Sequence, residues 1–251
     1  MHLPFSLVLP SEHFLAFLIV VVSPLVSYFY ERPLLRGISS SRQKMGFYGY
    51  VLLVQWPVAA IALWISAPAN LFFPPEAQGP ALPVYARILF GVLLAAFFLL
   101  GLMPFFQSLR GEKFRAAYAS AYHRSLHDVS KLLPETHEER LWFAAISITA
   151  GVCEEILCRG FMLRYLDGIA LKLPLTAALI IAAAIFGINH IYQGKVGMLK
   201  TGIAGLAFGG LFLFTGNLLL PILMHIAIDL QGVFVLRPFT QKPDEPMLSQ
   251  S

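Results

Sequence analysis

This sequence is short of charge. Asp, Glu, Lys and Arg make up only 13% of its 251 residues, where a soluble domain carries roughly 25%. That excludes an ordinary soluble enzyme. With 57% apolar residues and a mean hydropathy of +0.71, it leaves a polytopic membrane protein. The net charge of +4 is modest, and no nucleic-acid motif accompanies it, so no nucleic-acid partner is expected. Cysteine is scarcer still. Cys153 and Cys158 are the only two; five residues apart on one helix, they point different ways and do not bridge. Neither belongs to a CxxC zinc pattern, and both read as small buried apolar residues, one of which could line a cavity. HExxH and GxSxG are missing, which removes the common zinc-peptidase and serine-hydrolase signatures. Met1 to Pro10 has no basic n-region, so the first apolar segment is expected to stay as a membrane helix. There is no internal repeat.

What is present is a series of apolar runs. A membrane helix needs about 20 mostly apolar residues, and the candidates are 13–30, 47–66, 86–106, 141–163, 173–191, 198–214 and 217–236. All should be helical, because in lipid the chain must satisfy its own backbone. The expected fold is all-α: a polytopic transmembrane bundle of about seven or eight helices with an amphipathic interfacial helix. It divides into N-terminal membrane helices over 1–110, an interfacial segment over 111–137, a core over 138–237 and a flexible tail over 238–251. Arg32, Arg36, Arg42 and Lys44 gather between the first two runs, and Arg110 to Arg140 between the third and fourth. The positive-inside rule therefore places the N-terminus outside and the C-terminus inside. In 112–133, Phe114, Tyr118, Tyr122, Leu126, Val129 and Leu133 recur at helical spacing between charges, which predicts an amphipathic helix at the interface ending at Pro134, the alternative being a small packed cytoplasmic hairpin. Thr136 and Glu139 have capping-box spacing for the helix that follows. Gly205-x-x-x-Gly209 reads as close packing inside the bundle in preference to dimerisation.

Inside that following helix lies Glu154-Glu155-Ile-Leu-Cys-Arg159. Ionised groups in hydrocarbon are costly, and they usually face a bundle interior or a watered cavity. Residues four apart share a helix face, so Glu155 and Arg159 read as a structural ion pair, with Glu154 turned away as the free carboxylate. Two further polar groups fall in apolar runs: Phe186-Gly-Ile-Asn189-His190, and His225-Ile-Ala-Ile-Asp229, whose ends share a face. Each costs burial energy, and the groups are cheapest if they meet. Such a cluster could bind zinc through its histidines and a carboxylate. It could instead activate water with a desolvated glutamate as general base and hold an oxyanion with polar donors.

The set Glu154-Glu155-x-x-x-Arg159, Phe186-x-x-x-His190, a glycine-rich helix and His225-x-x-x-Asp229, over residues 136–236, resembles the CPBP family. These are the CAAX-protease and bacteriocin-processing, or Abi, intramembrane glutamic endopeptidases. The resemblance implies that Glu154 is the water-activating base assisted by His190, that Glu155 and Arg159 are the structural part of the motif, and that His225 and Asp229 stabilise the oxyanion. Phe186 and Asn189 support the motif. Asn is frequent in the family where this chain has Asp229, and an ionised Asp cannot donate to an oxyanion. The implied protein is a multi-pass endopeptidase of a bacterial inner membrane. It works without metal or other cofactor on a membrane-associated peptide or protein. The rivals are a zinc-dependent membrane protease and a non-catalytic binding or bacteriocin-immunity protein.

Overall fold

The computed structural model describes residues 5–66, 71–74, 83–125, 127–169 and 171–234. Among the described residues eight main helices order the chain. They are α1 (Pro10–Arg36), α2 (Ser41–Ile65), α3 (Val84–Ser108), α4 (Glu112–Ser125), α5 (His137–Gly168), α6 (Leu175–Asn189), α7 (Ile191–Thr215) and α8 (Leu219–Phe234). Five of them (α1, α2, α3, α5 and α7) are long and apolar enough to cross a membrane, while α6 and α8 are shorter apolar helices. No strand occurs among the described residues. The expected tail, 238–251, lies outside them. Pro57 and Pro104 sit inside α2 and α3, positions that apolar membrane helices tolerate through neighbouring contacts.

The local signals act at the helix ends. Ser40 caps α2, its hydroxyl accepting the Gln43 N–H, while the Gln43 side chain accepts the Ser39 N–H at 3.0 Å. Thr136 caps α5 by accepting the Glu139 N–H at 3.1 Å. Only that half of the capping box forms. The Glu139 carboxylate accepts instead from the Glu135 N–H at 2.7 Å and from Lys44 Nζ at 3.0 Å, which ties α5 to α2. Gly216, at φ +73°, closes α7 with its N–H on the Phe212 carbonyl, a left-handed cap that a side chain would resist.

Of the amphipathic helix expected over 112–133, helix is described over Glu112–Ser125 and His127–Ser130, and after Ser130 the chain leaves helical geometry, short of the expected end. Pro134 disfavours helix in the residue before it. The freed carbonyls are taken by α2: Tyr48 Oη donates to Leu132 O, and Lys44 Nζ donates to Leu133 O at 2.8 Å. Leu132 and Leu133 are buried, and Leu132 packs with Leu35, Ile38 and Phe47. Of the proposed stripe, Phe114 is exposed and Val129 packs against that cluster; the side chains of Tyr118, Tyr122 and Leu126 lie outside the described residues.

The main core joins the two halves of the chain. Leu15 and Ile19 of α1, Ala62 and Ile65 of α2, Ile156 and Phe161 of α5, and Phe212 of α7 form one buried cluster. Small residues let the helices approach. A Cβ on Gly187 would stand 2.7 Å from the Met198 carbonyl, so α6 and α7 touch backbone to backbone there. Gly205 and Gly209 face Ala183, Phe186 and Leu179 of α6, which is packing within the bundle.

Candidate active site

The glutamates stand where α5 changes its pitch. Regular helix runs over His137–Glu155, and wider π-helical turns follow over Ile156–Met162. Insertions of this kind occur mostly as single turns and frequently at functional sites. Glu155 and Arg159 remain within reach, with Arg159 Nη1 donating to Glu155 Oε1 at 3.0 Å. Both are buried, and the pair extends further. Arg159 Nη2 donates to the Gly205 carbonyl of α7 at 3.4 Å, and its guanidinium lies 4.3 Å over the Phe186 ring and 5.3 Å over Phe208. A planar, weakly hydrated cation suits such an apolar, aromatic seat.

Glu155 has a second task. His225 Nδ1 lies 2.8 Å from Glu155 Oε1. A carboxylate paired with arginine only accepts, so Nδ1 carries the proton there and Nε2 is left to face the site. The His225 ring stacks on Phe208 at 4.9 Å and 19°, which fixes its plane. His190 follows the last residue of α6, and its Nδ1 lies 2.8 Å from the Phe186 carbonyl. A carbonyl also only accepts, so Nδ1 donates and a neutral His190 presents the Nε2 lone pair. Phe186 touches both rings edge-on, at 4.7 Å to His190 and 6.3 Å to His225.

Glu154 lies where these atoms converge. Its Oε2 is 3.8 Å from His190 Nε2 and 3.9 Å from His225 Nε2. Those gaps exceed a direct hydrogen bond, but one water could bond two of the three groups at about 2.8 Å each. Asp229 Oδ2 is 3.6 Å from His225 Nε2, again too long for a direct bond, and Asp229 is the most exposed member, at 36% against 0% for Glu155. The structure thus brings Glu154, Glu155, Arg159, Phe186, His190, His225 and Asp229 to one place. Asn189 is different: its Oδ1 is buried without a partner. Both cysteines are buried and free, and Cys158 lines a small cavity with Arg159 and Gly205. Among the described residues no group of three or more His, Cys, Asp or Glu is arranged to hold a metal ion.

One contact was not read from the sequence. Gln55, on α2, donates its Nε2–H to Glu154 Oε1 at 2.9 Å. Its signal was there, since an amide inside an apolar helix asks for a partner.

Five long apolar helices define an integral membrane protein, and its carboxylate–imidazole centre joins α5 to His190 at the end of α6 and His225 on α8. Residues 136–231 match the model of a protease family described as Type II CAAX prenyl endopeptidase Rce1-like, nearly the stretch over which the motifs show their resemblance. A hydrolase is what this match implies. No curated protein and no solved structure matches the chain.

Proposed function

We propose that the chain is an intramembrane endopeptidase of the glutamic type, hydrolysing peptide bonds of membrane-associated peptides or proteins without a metal. The observation that carries the reading is the approach of Glu154 Oε2 to Nε2 of both His190 and His225, at 3.8 and 3.9 Å. A water donating one hydrogen to Glu154 and the other to His190 keeps a lone pair free for a carbonyl carbon. Attack forms the C–O bond, and the water's proton passes to Glu154 Oε2. As the C–N bond breaks, that proton goes to the leaving amine nitrogen.

The oxyanion needs a donor. Glu155 holds the Nδ1–H of His225, so Nε2 donates only when the ring is the imidazolium. Carboxylates on three sides (Glu154, Glu155 and Asp229) supply its counter-charge, and Arg159 offsets one of them. In this scheme Asp229 acts through His225, and Asp229→Asn keeps cleavage, because an amide can itself donate to the oxyanion.

The test is cleavage of a library of membrane-anchored peptides by the purified, detergent-solubilised protein. Prenylated C-termini belong in the library, given the description of the matched family. Glu154→Gln should lower cleavage by roughly 10²- to 10⁴-fold while the protein still accumulates, and a strong chelator should change nothing. Full cleavage by Glu154→Gln would overturn the mechanism. Loss to chelator with recovery on zinc would establish the metalloprotease in its place.

A further inference from the structure

The proposed chemistry employs one oxygen of Glu154, and the other is held by a helix outside the matched segment. Gln55 Nε2 donates to Glu154 Oε1 at 2.9 Å, leaving Oε2 toward the two imidazoles. A carboxylate offers no proton, so the amide nitrogen must face it, and the amide oxygen is turned elsewhere. That oxygen, Gln55 Oε1, is buried and has no hydrogen-bond partner. The register of α2 on α5 is held beside it, where Trp56 Nε1 donates to Thr149 Oγ1 at 3.0 Å. A purely structural amide in an apolar helix pair would be expected to use both of its ends. This one uses its donor on Glu154 and keeps its acceptor buried and unpaired.

We propose that Gln55 is a positioning residue for Glu154 and, through its free Oε1, a subsite that accepts a backbone N–H of the bound substrate. The inference rests on the endopeptidase reading above. A peptide substrate is well suited to this acceptor, since it brings an amide N–H at nearly every residue. Binding would satisfy Oε1 and leave the Nε2–H on Glu154 undisturbed. The amide then couples substrate position to the orientation of the base.

The test takes a fluorogenic, lipid-anchored peptide that the wild-type protein cleaves, and analogues in which one backbone N–H at a time is N-methylated. Wild type, Gln55→Met, Gln55→Asn and Glu154→Gln are compared. Gln55→Met should lower kcat/KM by roughly 10- to 100-fold, with kcat falling from the lost anchor and KM rising from the lost subsite. Gln55→Asn, one methylene shorter, should behave alike and serves if the Met variant fails to accumulate. One analogue should lose roughly tenfold on wild type and nothing further on either Gln55 variant. Equal methylation penalties in wild type and both variants, with Glu154→Gln inactive, would overturn this inference alone. An active Glu154→Gln would overturn the endopeptidase reading, and this inference with it.

Discussion

Replacing Arg159 by leucine tests whether the buried ion pair holds the site together. Arg159 gives Glu155 a 3.0 Å hydrogen bond, gives Gly205 a longer one, and stacks on Phe186 and Phe208. Glu155 is fully buried, and its other oxygen, Oε2, already lacks a partner. Without Arg159 the carboxylate keeps only His225. Breaking a buried pair from one side costs about 3–5 kcal/mol, because an uncompensated charge is left behind. The stacking, worth about 2 kcal/mol when desolvated, lies within that figure and is not added to it. Arg159→Lys keeps the charge but loses the planar fork and most of the stacking, so it should fall between. Reversible unfolding in mixed micelles gives the free energies. Adding Glu155→Gln to Arg159→Leu removes the stranded charge while the amide oxygen can still accept from His225, and should recover more than half of the loss. The reasoning is refuted if Arg159→Leu lies within about 1 kcal/mol of wild type, or if the double variant is no more stable than the single one.

Two further outcomes follow from the packing. A Cβ on Gly151 would meet Ile226 Cγ1 at 2.4 Å and the Ile226 backbone nitrogen at 3.0 Å, so Gly151→Ala pushes α8 and its His225 away from α5. Unfolding should show a loss of about 1–3 kcal/mol together with reduced cleavage, whereas Gly49→Ala, with nothing within 4 Å, should change neither. Cys153 and Cys158 are both buried and free. Maleimide should therefore label the folded protein slowly and the denatured protein completely, and rapid labelling of the folded state would contradict the packing around α5.

The sequence by itself determined whatever depends on short-range spacing and on the solvent. Backbone groups in hydrocarbon must pair within their own segment, so apolar runs of about 20 residues could only be helices. The four-residue steps from Glu155 to Arg159 and from His225 to Asp229 lie along single helices, where geometry fixes which side chains share a face. The motif order from Glu154 to Asp229 was legible through the family resemblance, which rests on that order.

Only the tertiary structure decided what depends on which helix lies beside which. Gln55 and Glu154 are 99 residues apart, and no periodicity within α2 or α5 connects them. Spacing assigned Glu155 to Arg159 alone, yet its carboxylate also accepts the Nδ1–H of His225 from α8. The capping rule sent Glu139 back to Thr136, but Lys44 from α2 and the nearer Glu135 N–H won it. The helix expected to run through 133 gave way to side chains of α2 that take its last carbonyls. In each case a buried polar atom was satisfied from another helix. Which helix could reach it was set by how closely residues such as Gly151 and Gly187 let the backbones approach, a property of packed volume that no local pattern carries.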